Sequence, residues 1–320
     1  MAHGPARQRR NRQGDPMKDP RVIALRRFAI SITAFNILGH AVLGFEQAYV
    51  TPLAALAAAY ILEIGLEWLD ATATGRTPKF RGGGFKGLVT FLLPAHITAL
   101  ACAMLLYAND RLAPVIFAVI VAIASKYLIR IRLHGKFRHV LNPSNFGIVV
   151  VLIVFPWVSI APPYHFTEWI SGPLDWVLPA FILVSGTVIN AMLTKKIPLI
   201  LGWVIGFAAQ AVIRTGIDGT ATVTALTVMT GTAFILFTNY MITDPGTTPV
   251  KPANQVAFGV ATAAVYGLLV HVHIAFGLFF ALVIVCALRG AALGVISLRA
   301  RAERPAEEPV PQLVATANRT

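Results

Sequence analysis

Apolar stretches close to the ~20 residues needed to cross about 30 Å of hydrocarbon recur along almost the whole chain. Ten can be delimited, approximately Phe28 to Phe45, Ala48 to Leu69, Gly87 to Tyr107, Leu112 to Ile129, Phe146 to Ile160, Leu174 to Leu193, Ile197 to Ile213, Ala221 to Ile242, Val256 to Val270 and Ile274 to Leu288. The bilayer core offers no water to backbone N–H and C=O groups, so segments of this length must satisfy them internally, as helices. The expected fold class is therefore all-α, a polytopic integral membrane protein of ten helices. Composition agrees: 13% of residues are charged, against about a quarter in soluble domains, and 56% are hydrophobic.

The basic residues then set orientation. With the N-terminus inside, every one of the 27 Lys and Arg except Arg111 and Arg214 falls on the cytoplasmic side, as expected for short loops. Both termini are expected in the cytoplasm. The net charge of +13 accordingly forms one cytoplasmic rim that contacts anionic headgroups of the lipid bilayer, and nucleic acid is not an expected partner. Residues 1–27 read as a disordered basic arm and 291–320 as a cytoplasmic tail. The membrane domain spans 28–290, with halves of about 28–160 and 174–288.

Polar residues inside spans are costly and are functional candidates by default. In "ILEIGLEWL" Glu63 and Glu67 lie four residues apart on one helix face, where two ionised carboxylates repel; at least one is expected to carry a proton. A proton or cation relay is one reading, and a Glu63 hydrogen-bonded to another span with Glu67 at the cytoplasmic edge is the other. In "FLLPAHITAL" Pro94 removes a backbone donor and is expected to kink the helix next to His96. Glu63, Glu67 and His96 together make a candidate intramembrane polar pathway.

The eighth stretch, "TALTVMTGTAFILFTNYMITDPGTTP", carries Thr227, Thr230, Gly231 and Thr232 midway and Thr238, Asn239, Thr243 and Asp244 near its end, where Pro245 stops the helix. A comparable turn, "RHVLNPSNFG", opens the fifth span with Asn142, Pro143, Asn145 and Gly147. Two such turns, one in each half and both on the cytoplasmic side, fit a two-repeat membrane fold with its site between the halves. Asp244 either faces a cofactor or ion pathway or satisfies loop amides. Cys102 and Cys286 are too few for a four-ligand metal site and read as buried apolar residues. His271 and His273 read as solvated loop residues. No metal site is expected, and no phosphate-binding loop or dinucleotide fingerprint occurs.

"ASKYLIR...HVLNPSNFGIVVVLIVFP" followed by "TALTVMTGTAFILFTNYMITDPGTTP...VAFGVATAAVYGLLV" resembles the D subunit of the Rnf electron-transport complex and the B subunit of the sodium-pumping NADH:quinone reductase. The Asn-Pro-x-x-x-Gly turn is matched by Asn142, Pro143 and Gly147, and the Thr-Asp-Pro turn by Thr243, Asp244 and Pro245. The likeness extends over roughly Arg21 to Gly290 and is greatest to short members encoded in enediyne antibiotic gene clusters. The resemblance implies two five-helix inverted repeats in a bacterial inner membrane, a flavin and a role in electron transport, with other redox or biosynthetic proteins as partners. It makes Asn142, Pro143, Gly147, Thr230, Gly231, Thr243, Asp244 and Pro245 the candidate cofactor-binding set. The family's threonine motif for covalent FMN is missing from the shortened loop "APPYHFTEWISGP", where Thr167 follows "YHF". FMN or riboflavin is therefore expected to be held without a covalent bond. A transporter or channel for a small solute is the competing function.

Overall fold

The computed structural model describes residues 20–133, 136–161, 171–219 and 221–302. Its elements are α1 (Pro20–Ala41), α2 (Val50–Ala73), α3 (Gly84–Leu105), β1 (Leu106–Tyr107), α4 (Leu112–Leu128), β2 (Arg130–Leu133), β3 (Lys136–His139), α5 (Pro143–Val154), β4 (Ser159–Ile160), α6 (Val177–Ile189), α7 (Ile197–Asp218), α8 (Thr222–Thr227), α9 (Thr232–Leu236), α10 (Pro252–His271) and α11 (Gly277–Ala302). Single π turns extend α6 at Asn190–Thr194 and α9 at Phe237–Met241. The fold is almost entirely helical, with two short antiparallel pairs, β1 with β4 and β2 with β3.

Seven of these helices are long and apolar enough to cross a membrane. Thr222–Thr230 and Thr232–Met241 meet at 61° and make an eighth if the bent pair is one span. The remaining apolar helices, α4 and α5, are shorter. Large side chains face outward around the bundle, with Ile61 73% and Leu128 80% exposed. Water would penalise such a perimeter heavily, whereas lipid solvates it.

Several boundaries differ from the sequence reading. Helix α1 begins at Pro20, so the last residues of the supposed disordered arm are helical; Pro20 presets the backbone angle and has no amide hydrogen to leave unsatisfied. Helix α11 likewise runs to Ala302, well into the supposed tail. Helix α3 passes through Pro94 without interruption, and Thr98 Oγ1 donates to the Pro94 carbonyl at 2.8 Å. The eighth stretch is not one helix ending at Asp244: it breaks at Gly231, whose extended backbone (φ −71°, ψ 142°) cannot continue the coil.

Close packing depends on small residues, as expected where lipid supplies no hydrophobic drive between helices. Gly147 on α5 lies against the Ala118 carbonyl of α4, leaving no room for a methyl group. Gly259 on α10 meets the backbone of Leu199 and Trp203 on α7 in the same manner. Beside that contact Trp203, Phe207, Phe234, Phe237 and Tyr266 form an aromatic core, tied down by Trp203 Nε1 donating to Thr238 Oγ1 at 2.9 Å.

Connections gather at two ends. At one, Arg130 pairs with Asp70, Asn142 Nδ2 donates to the Met241 carbonyl, Lys196 Nζ to the Pro249 carbonyl, Arg289 to the Thr247 carbonyl and Ser297 to the Arg132 carbonyl. At the other, Gln47 donates to the Leu106 carbonyl, Tyr107 to Glu46, and Leu106 pairs with Ile160.

Candidate functional site

The two proline-marked turns meet. Asn142 caps α5, its Oδ1 accepting from the Asn145 amide at 3.1 Å, and Pro143 occupies the first helical position, where a missing amide hydrogen costs nothing. The remaining donor of Asn142 reaches across to the Met241 carbonyl at 3.1 Å, on the π turn that precedes Asp244. Asn145, wholly buried, donates to the Phe279 carbonyl of α11 at 2.8 Å. One turn is thus stitched to two elements of the other half.

Asp244 folds its own loop. Its Oδ1 accepts from the Gly246 amide at 3.1 Å and its Oδ2 from Thr247 Oγ1 at 2.9 Å, while Thr248 Oγ1 donates to its carbonyl. Arg289 Nη1 and Lys196 Nζ, each donating at 2.7 Å, hold the carbonyls of Thr247 and Pro249. Burial pushes the Lys196 ammonium down to about 8, with nearby Asp244 opposing that shift and Arg289 reinforcing it.

Beyond the second turn lies a cavity of about 430 Å³, lined by residues of α2 and α4, the α2–α3 connection and the β2–β3 pair. His139 connects the two places: it lines the cavity and sits so close to Gly246 that a Cβ there would fall 2.7 Å from its Nε2. Burial lowers the His139 pKa and so favours the neutral ring, an effect that Asp244 partly offsets.

The cavity wall is an ion-pair network. Lys126 Nζ contacts Glu63 Oε2 at 2.6 Å and Tyr127 Oη donates to Glu63 Oε1 at 3.1 Å. Arg76 grips both oxygens of Glu67 and also reaches Asp70 Oδ2 at 2.5 Å. Arg130 takes Asp70 Oδ1 at 2.8 Å, and Lys79 gives Glu67 both its amide (2.8 Å) and its ammonium (3.1 Å). Hydrogen bonding to Glu67 and Asp70 raises the already high pKa of Arg76. The Arg130 guanidinium also lies 4.9 Å from the Phe137 ring centroid.

This geometry corrects the reading of Glu63 and Glu67. Both are buried, at 4% and 0% exposure, and they bond to separate partners rather than to each other. Each has its own basic partners, Lys126 for Glu63 and Arg76 with Lys79 for Glu67. The alternative of a Glu63 hydrogen-bonded to another span agrees with its contacts to Lys126 and Tyr127 of α4, whereas Glu67, although held by the α2–α3 connection at the helix end, is buried rather than exposed there.

Other candidates are dispersed. Thr230 is exposed and bonds back to the Thr227 carbonyl at 2.7 Å, and Gly231 serves the helix break. Gly147 is consumed by helix packing, and the buried Thr243 donates its hydroxyl to the Asn239 carbonyl at 2.8 Å. Pro245 is exposed at the tip of the Asp244 turn. His96 bridges three helices, with Nδ1 2.6 Å from Tyr60 Oη and Nε2 2.8 Å from Thr33 Oγ1, apart from the ion-pair network. Cys102 and Cys286 are buried and free, and His271 and His273 are exposed. Thr167 lies outside the described residues.

Sequence reasoning missed Asp70, Arg76, Lys79, Lys126, Tyr127, Arg130 and His139. Part of the signal was present: Asp70 follows Glu63 and Glu67 at helical spacing, and "SKYLIR" repeats basic residues at the facing end of α4. Comparison with known protein families and with curated proteins returned no match.

Proposed function

We propose that the chain is a ten-span membrane electron-transport subunit that holds a flavin without covalent attachment at its basic end. The observation that carries this reading is the cavity, whose volume of about 430 Å³ suits a small-molecule site and whose wall combines rings with cations. Tyr127, Phe137 and His139 offer planar surfaces, while Arg76, Lys79, Lys126 and Arg130 outnumber Glu63, Glu67 and Asp70 by one charge. A planar, anionic cofactor such as FMN fits that donor set. Arg76 and Arg130 would take its phosphate, and Phe137 and Tyr127 would contact its ring. When bound, the flavin supplies one- and two-electron chemistry, and the protein tunes it through these charges.

The ten-span, two-repeat architecture is supported by which helices touch. In the first half α1 packs on α3, α2 on α3 and α4, and α4 on α5. In the second, α6 packs on α9, α7 on α8 and α10, and α10 on α11, which is the same order of partners. The alternate gathering of connections at two ends favours α4 and α5 as full crossings despite their length. The concentration of Lys and Arg at the end holding Arg76 and Arg130 supports a cytoplasmic orientation for that end, and the membrane would be a bacterial inner membrane, in keeping with the family resemblance. Donor and acceptor would be partner proteins, in keeping with the enediyne-cluster resemblance, where electrons would support maturation of the natural product.

The test is absorption spectroscopy of detergent-purified protein with acid extraction. The expected result is one extractable flavin per chain, with loss in Arg76→Gln/Arg130→Gln. Protein that is colourless and takes up no added FMN overturns the proposal. A second reading, transport of a small solute, is favoured by the 61° break in the eighth span, since discontinuous helices mark transporter sites. It predicts solute flux in proteoliposomes without a chromophore.

A further inference from the structure

A groove of about 820 Å³ runs between α1 and α3, floored by α2, and is separate from the ion-pair cavity. Its walls are mostly apolar, and alanines on α1 (Ala29, Ala34) give it depth. Its deep polar groups, Thr33, Tyr60 and His96, are already bonded to one another. That floor therefore makes no demand on a ligand. Among the described residues charge enters only at one end, where Arg26 of α1 and Lys86 of α3 line the mouth, and none of the described lining residues is a carboxylate. Arg26 leans across toward α3, with Nη2 3.4 Å from Thr90 Oγ1, which holds its charge at the mouth.

The dimensions select the occupant. From Arg26 to Ile37, the limits of the α1 lining, a helix rises roughly 16 Å. That is about half of the ~30 Å hydrocarbon core, the depth of a single leaflet. An amphiphile with an anionic head at Arg26 and Lys86 and one acyl chain laid toward Ile37 would fill the groove. From this combination of charge, depth and dry walls, we infer that the groove is a binding site for an anionic phospholipid of the leaflet at the basic end. The inference is independent of the flavin reading.

The experiment reconstitutes the full chain in nanodiscs of equal phosphatidylglycerol and phosphatidylethanolamine, transfers it to mild detergent and quantifies retained lipid by native mass spectrometry. Wild type should retain phosphatidylglycerol in preference. A cation near the headgroup is worth roughly fivefold in binding, the equivalent of about 1 kcal/mol. Lys86→Gln, at an exposed position, should therefore reduce the preference roughly fivefold, and Arg26→Gln/Lys86→Gln should abolish it. Ala34→Phe should reduce retention of both lipids by obstructing the groove at its midpoint. Arg81→Gln/Arg132→Gln, which removes rim charge outside the groove, should leave retention unchanged. Equal retention of the two lipids by wild type, or an undiminished preference in folded Lys86→Gln, overturns the inference. So does an equal loss in the Arg81/Arg132 control, which would mark a diffuse rim effect. A bound flavin in any of these variants changes none of these outcomes.

Discussion

Replacing Glu67 by Gln is the perturbation that most directly separates an ionised network from a protonated carboxyl. The Glu67 side chain is fully buried, whereas Arg76 is 31% and Lys79 65% exposed. Glutamine keeps one oxygen for the Lys79 amide but turns an NH₂ toward the cations that the second oxygen had held. Removing one partner of a buried pair costs about 3–5 kcal/mol. Here water reaches Arg76 and Lys79, and Arg76 keeps Asp70, so the lower end applies, about 3 kcal/mol. For a chain of 320 residues that corresponds to a fall in Tm of roughly 4–5 °C. The molecule carries its own reporter, because Cys102 and Cys286 are both buried and free and react with a thiol-specific fluorophore only on unfolding. A Tm within about 1 °C of wild type would mean that Glu67 was already neutral. That result would refute the ion-pair network and restore the shared-proton reading of the two glutamates.

Further outcomes follow from individual contacts. Gly259→Ala puts a Cβ 2.5 Å from the backbone of Leu199 and Trp203 and should cost about 1–3 kcal/mol in the thiol assay, whereas Gly65→Ala, with open space around it, should be neutral or slightly stabilising. Asn142→Asp keeps the cap on α5 but sets a carboxylate against the Met241 carbonyl, so a loss of roughly 2 kcal/mol or more is expected, and a smaller one would mean the bridge between turns contributes little. Lys196 gives up its proton near pH 8 when folded and near 10.5 when unfolded, so between those values the unfolded state binds more protons and stability rises with pH. Melting of wild type against Lys196→Met should reveal that rise, at most about 1.4 kcal/mol per pH unit, and parallel profiles would contradict it.

Hydrophobic length made the bundle legible because each apolar stretch has to satisfy its own backbone, and that condition is local. Helix ends were less so. The extension of α1 back to Pro20 and of α11 to Ala302 involves polar residues beyond the apolar stretch, which length alone does not register. The break at Gly231 was visible only as a glycine among threonines. At the site, Asn142 and Asp244 stood out because proline-flanked polar residues are anomalous in a greasy chain. Arg76, Lys79 and Arg130 did not, because basic loop residues also serve orientation and their second use depends on contacts across the sequence, such as Arg130 with Asp70.

The polar groups of the two turns are largely spent on each other, and this relocates the chemistry. Helices interrupted at membrane depth leave carbonyls without partners, each costly in a medium without water. Asparagines meet that demand: Asn142 donates to the Met241 carbonyl, Asn145 to Phe279, Asn190 to Gly186 and Asn239, and Asn239 to Ile235. Asp244 is likewise occupied by Gly246 and Thr247. Groups so engaged fix a junction and have little donor capacity left for a ligand. The free donor capacity lies one step away, in the arginines and lysines around the cavity, where a guanidinium has five N–H groups and a carboxylate takes only part of them. His139 is the element common to both, packed on the rigid turn and facing the cavity. The turns are best understood as the scaffold that holds the cavity wall in place.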